Sequence, residues 1–138
     1  MTVFYQLLKE KLKSKSSWQD KYREIMLLGK QLPSLPDELK IDSAKVSGCE
    51  SNVWLYIEFD EQEQHLLVSA DSDTRIVKGL IYIITSLVNG CTIEQFLRLD
   101  IQNEFDELGL TQHLSQSRGN GIRSIAKEIN SFVMSHSA

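Results

Sequence analysis

Residues 76–88 leave little choice about the middle of this chain. Ile76, Val77, Leu80, Ile81, Tyr82, Ile83, Ile84, Leu87 and Val88 make a helix apolar nearly all round, and such a helix must be enclosed by the rest of the fold. It falls short of the about 20 apolar residues a membrane span needs, because Lys78 interrupts it and Asn89-Gly90 ends it. Gly79 within it costs about 1 kcal/mol relative to alanine, which predicts that another backbone packs close there. Upstream, Asp71-Ser72-Asp73 supplies caps. Asp73 is the expected acceptor for the first free amides of a helix starting near Thr74.

The flanking sequence supplies the cover. Val3, Phe4, Leu7, Leu8 and Leu12 recur at helical spacing and predict an amphipathic helix over about 3–13. Its basic run, residues 9–15, reads as a solvated face, since no apolar core of a signal peptide follows. Ser16 or Ser17 caps a second helix, with Trp18, Tyr22, Ile25, Met26, Leu28 and Leu32 on one side and Asp20, Lys21, Arg23, Glu24 and Lys30 on the other. Trp18 and Met26 read first as packing residues, with a partner groove as the functional alternative. Pro33 and Pro36 end that helix, and an irregular connector follows to about Ser43.

Lys45-Val46 suggests a short edge strand. Residues 52–59 then alternate, with Val53, Leu55, Ile57 and Phe59 on one face and Trp54, Tyr56 and Glu58 on the other. A polar turn at 60–64 leads to a return strand, residues 65–70, in which His65 is a solvated edge residue. Thr92 opens a short helix with Gln95, and residues 101–110 are helical or irregular with Phe105 and Leu108 as anchors. Ser115 or Ser117 opens a last helix over about 117–134, with Ile122, Ile125, Ile129, Phe132 and Val133 as its core stripe. The expected fold is α+β, a small antiparallel sheet against several helices, and 138 residues suit one domain spanning 1–138.

Chemistry points to Cys49, in a loop of about 47–52 between Gly48 and the first confident strand. Gly48 permits a positive φ, and Ser51 and Asn52 can bond local amides. Only a thiolate attacks an electrophile, and a loop thiol is placed to ionise and to reach a partner. The plainer reading is a small buried hydrophobe, which is also the reading for Cys91. A net charge of −4 with no basic patch argues against nucleic acid. A cluster or zinc scaffold needs about four Cys or His ligands, whereas Cys49, Cys91, His65, His113 and His136 are scattered. With no signal peptide or apolar span, a soluble cytoplasmic protein with reduced cysteines is expected.

Gly48-Cys49-Glu50-Ser51-Asn52-Val53-Trp54 resembles the G-C-x-S-x-V-W signature of the SufE/CsdE family. Lys21-Tyr22 through Leu28-Gly29-Lys30-Gln31-Leu32-Pro33, Asp71-Ser72-Asp73 with Ile76-Val77-Lys78-Gly79-Leu80, and Leu110-Thr111-Gln112-His113-Leu114 through Ser117-Arg118 and Gly121 resemble further segments of that family in the same order. The matches span roughly residues 18–130. The resemblance implies the fold shared with IscU-type Fe–S scaffold proteins. It also implies a sulfur acceptor that takes persulfide sulfur from a cysteine desulfurase onto Cys49, stimulates that enzyme, and passes the sulfur to Fe–S assembly or another thiolation route. Pyridoxal phosphate would belong to the desulfurase, and this chain would need no cofactor or metal.

Gly48, Glu50, Ser51, Asp73, His113 and Arg118 match positions expected to support the loop or face the partner. Glu50, in the variable slot, adds a negative charge that would raise the thiol pKa or tune partner choice. For Asp73 and His113 a structural role comes first; for Arg118 the two roles weigh equally. Three alternatives stay open: a regulatory desulfurase-binding module in which Cys49 carries no sulfur, a stand-alone enzyme pairing Cys49 with His113, and an Fe–S or zinc scaffold.

Overall fold

The computed structural model describes residues 2–49 and 51–137. Among these residues, six helices and one hairpin follow in the order α1 (Val3–Lys13), α2 (Trp18–Gln31), β1 (Val53–Asp60), β2 (His65–Ser72), α3 (Arg75–Val88), α4 (Ile93–Leu97), α5 (Ile101–Glu107) and α6 (Gln116–Ser137). Two 3₁₀ turns, Asp37–Leu39 and Asp42–Ala44, shape the connector between α2 and β1. No helix among the described residues is long and apolar enough to cross a membrane.

As its composition requires, α3 is enclosed: nine of its residues are buried, including Ile83, Ile84 and Val88. It packs against α2, α1 and β2. The approach to α2 is a backbone contact. A Cβ on Gly79 would lie 2.1 Å from the Ile25 carbonyl oxygen, and one on Gly29 would lie 2.9 Å from the Arg75 carbonyl oxygen. The close neighbour predicted for Gly79 is therefore α2, met by a second glycine.

Helix starts follow the capping logic at several points. The Ser17 side chain accepts from Asp20 N, and Thr92 with Gln95 forms a complete capping box. At α3 the structure corrects the expectation: the N-cap is Thr74 with no side-chain cap bond, and Asp73 is not the cap. Helix α6 begins one residue before the expected start and runs to Ser137.

The inward stripe of α1 differs from the one expected. Tyr5, Leu8 and Leu12 are buried, whereas Val3, Phe4 and Leu7 are exposed. Tyr5 is drawn in by a polar anchor, its hydroxyl donating to Glu104 Oε1 at 2.9 Å. Burial and the Glu104 carboxylate both hold that phenol protonated, far above the usual tyrosine range. Lys9 reaches the same Glu104 at 3.2 Å and also pairs with Glu107, fastening α1 to α5. Glu24, expected on the polar side of α2, is instead buried and paired with Lys11 at 2.9 Å.

Strands β1 and β2 pair antiparallel from Val53↔Ser72 to Asp60↔His65. On β2 the alternation is clean from Leu66 to Ala70, with Leu66, Val68 and Ala70 buried and Leu67 and Ser69 exposed, and it ends where Asp71 and Ser72 are both buried. On β1 it is not, because Trp54 is buried on the face expected to be solvated. The connector covers it: Lys40 lies 5.6 Å above the Trp54 ring, and Tyr56 donates its hydroxyl to the Leu39 carbonyl at 2.6 Å. The suggested edge strand at Lys45-Val46 amounts to one bridge to Trp54, with Val46 N donating to Val53 O at 2.9 Å. Along the outer edge of β2, Asn89 imitates a strand. Its Oδ1 accepts from Val68 N at 2.6 Å and its Nδ2 donates to Val68 O at 3.1 Å.

The two glycine environments give a stability test by denaturant unfolding. Gly79→Ala must force α2 and α3 apart at a backbone contact, and is expected to cost about 3 kcal/mol. Gly90→Ala meets open space and only a positive φ of 85°, and is expected to cost about 1 kcal/mol. Equal losses would show that steric approach at Gly79 is not what holds the pair.

Candidate thiol site

Cys49 is half-buried, and its loop lies against α6 through two glycine positions. Gly48 has φ +87°, and a Cβ on it would stand 2.6 Å from Ser124 Oγ. Gly121 leaves room for the sulfur itself: a Cβ there would lie 3.4 Å from Cys49 Sγ. The Gly121 carbonyl oxygen, 3.8 Å from Sγ, is the acceptor for the thiol. The glycine that a family motif places at 121 thus shapes the thiol's seat, a role the linear sequence did not assign.

Sγ borders a cavity of about 190 Å³ between the hairpin, α3 and α6. Val77, Leu80 and Ile81 from α3, with Ile122 and Ile125 from α6, form its apolar wall. Ser51, Ser115, Ser117 and Arg118 supply the polar part. Burial pushes the Cys49 thiol up from its ordinary value, so the resting sulfur is held as a neutral thiol. Ser51 and Arg118 are thereby beside the thiol cavity, and the Arg118 guanidinium has no ion pair among the described residues. Glu50 lies outside the described residues.

The base of the loop is tied down on the other side. Ser72 Oγ donates to Asn52 O at 2.7 Å and accepts from Thr74 N at 3.2 Å. Asn52 Nδ2 donates to Asp73 Oδ2 at 2.8 Å, so Asp73 holds the thiol loop while its other oxygen accepts from Thr74 Oγ1 at 3.1 Å. Asp71, fully buried, accepts from Leu35 N and Ser72 N, and Lys40 and Lys78 flank it at 3.7 and 3.5 Å. Two cations and two amides compensate the buried carboxylate. The Asp71-Ser72-Asp73 run therefore joins connector, thiol loop and α3.

His113 is placed elsewhere. Its ring stacks on Trp18 with centroids 4.8 Å apart and planes 15° from parallel, and it does not line the cavity. A Cys49–His113 catalytic pair is not assembled. Cys91 is buried, bonded to the Leu87 carbonyl at 3.4 Å, and both cysteines are free thiols. Among the described residues no three His, Cys, Asp or Glu side chains gather as metal ligands.

The family model for SufE, described as an Fe-S metabolism associated domain, matches residues 6–133. The chain belongs to the SufE family. It is 39% identical to the sulfur acceptor protein CsdE of Escherichia coli (strain K12), over 93% of this chain and 86% of that protein. It is 37% identical to a SufE-like protein of Rhizobium meliloti (strain 1021), over 83% of each chain. The solution structure of a hypothetical protein from Thermus thermophilus superposes with a TM-score of 0.75, covering 95% of this chain and 93% of that one. At 13% identity, that likeness shows a common fold. The α+β architecture is thus SufE-like, and Cys49 with its seat at Gly48 and Gly121 lies within the matched residues.

Because burial raises the thiol pKa, the thiolate fraction at pH 7 falls below that of a free cysteine, whose pKa is about 8.5. Alkylation of Cys49 by iodoacetamide is expected to be slower at pH 7 than that of the urea-unfolded chain, and to keep rising beyond about pH 8.5. A rate already level below pH 7 would contradict a neutral resting thiol.

Proposed function

We propose that this chain is a sulfur acceptor for a pyridoxal phosphate-dependent cysteine desulfurase, with Cys49 as the carrier. The observation that carries the reading is a free, half-buried thiol on a glycine-built loop bordering a cavity, within the residues that the SufE family model matches. A relative of 39% identity is named a sulfur acceptor protein.

The step is thiol exchange. Cys49 loses its proton as the loop leaves its buried seat, and the thiolate attacks the terminal sulfur of the desulfurase persulfide. A new S–S bond forms on Cys49, the S–S bond to the desulfurase cysteine breaks, and that cysteine leaves as a thiolate. Regenerating the desulfurase cysteine raises its turnover. The persulfide then returns to the cavity, where limited access protects it until a downstream acceptor for Fe–S assembly or another thiolation route arrives. Pyridoxal phosphate acts in the desulfurase, and this chain requires no cofactor of its own. Ser51, Gly48 and Asp73 support the loop, while Arg118 at the cavity rim meets the partner.

Incubation with a cysteine desulfurase and free cysteine is expected to add about 32 Da to the intact chain, reversed by reductant and absent in Cys49→Ser. Cys49→Ser is further expected to keep the fold and lose desulfurase stimulation. Full stimulation by that variant, with no mass gain on the wild-type chain, would establish the regulatory-module reading instead.

A further inference from the structure

Two recesses run along α2 away from the thiol. One, about 540 Å³, is lined by Arg23, Met26, Leu27 and Lys30 of α2 with Arg75 and Lys78 of α3. The other is lined by Trp18 and Tyr22 together with the same Arg23 and Met26, so the two form a continuous groove. Neither shares a lining residue with the cavity around Cys49. Val77, Leu80 and Ile81 face that cavity from one flank of α3, and Arg75 and Lys78 face the groove from another.

Charge identifies the occupant. Every charged residue lining the groove is a cation, in a chain whose net charge is −4. Lys30 and Arg75 have no ion-pair partner among the described residues. Arg23 is only loosely held by exposed Asp20 at 3.5 Å, while Lys78 is partly committed to Asp71. Gly29 makes the arrangement possible, since the close approach of α2 to α3 at its Cα brings the two pairs of cations to one recess. Between them lies an apolar floor that includes Met26 and Leu27, the latter 46% exposed.

Arg23 and Lys30 are two turns apart, about 10 Å along α2. That spacing suits an extended ligand better than a single phosphate. A net negative chain disfavours an anionic bilayer. We propose that the groove docks an acidic amphipathic segment of a protein partner, with carboxylates on Arg23, Lys30 and Arg75 and apolar side chains on Met26 and Leu27. Flexible methionine next to Trp18 and Tyr22 is the surface such segments use. The segment can remain bound while Cys49 reacts, because it covers none of the cavity's lining.

The test is fluorescence anisotropy on the full chain with a fluorescein-labelled amphipathic peptide of Glu and Leu, beside the same peptide with Lys in place of Glu. Saturable binding of the Glu peptide alone is expected, weakening as salt rises from about 0.05 to 0.5 M. Lys30→Glu combined with Arg75→Glu is expected to weaken it at least about tenfold, with circular dichroism and desulfurase-dependent loading of Cys49 unchanged. No saturable binding, or an affinity untouched by the double substitution, would overturn the proposal. So would binding only to anionic phospholipid vesicles, or sedimentation as a dimer that the double substitution dissociates.

Discussion

The backbone contact between α2 and α3 is the constraint on which the molecule's other surfaces depend. With Gly29 and Gly79 at the contact, the backbone of the most apolar helix is clamped at one flank directly against the backbone of α2 and the Ile25 side chain. Its remaining flanks are then free to meet β2 and to line the space beneath Cys49. The same contact sets the cations of both helices side by side at the surface. One close approach thus orients the thiol cavity and a separate cationic groove that have no lining residue in common.

At the thiol, protection and reactivity oppose each other. The seat between Gly48 and Gly121 is apolar enough to keep Cys49 neutral, and a neutral thiol is a poor nucleophile. A loop with its base fixed resolves this. Asn52 is held by Ser72 and Asp73 at the start of α3, while Cys49 itself has only a weak sulfur contact to Gly121 O. The strong bonds lie where the chain must not move, and the weakest lies at the reacting atom.

Where one local cause decided a feature, the sequence was readable. The apolar girdle of α3, the Thr92 capping box, the Ser17 cap and the demand for a close neighbour at Gly79 all follow from residues within a few positions of one another. Features set by distant partners were not. Tyr5 wins its place over Phe4 because Glu104 waits across the fold, and α1 turns accordingly. Trp54 is buried because Lys40 and its connector fold over a strand face that alternation marks as wet. Asp73 carried the chemistry of a cap, yet Asn52 claims its carboxylate. Cys49 was singled out by its motif, while its seat on Gly121 required knowing that α6 passes beneath it. His113, matched by motif, proved to be an aromatic partner of Trp18, remote from the cavity lining.

The side chain of Asn89 leaves a last consequence. A two-stranded sheet ordinarily offers two raw edges to any extended peptide. Here the outer side of β2 is taken at Val68 by that amide and at Leu66 by the Gly90 and Cys91 backbone, while β1 is met at Val53 by Val46. Pairing a foreign strand onto those stretches would first require stripping away native bonds. At Leu66, Val68 and Val53 the hairpin is thereby shielded from adding a foreign strand, including one from its own kind when many copies crowd together.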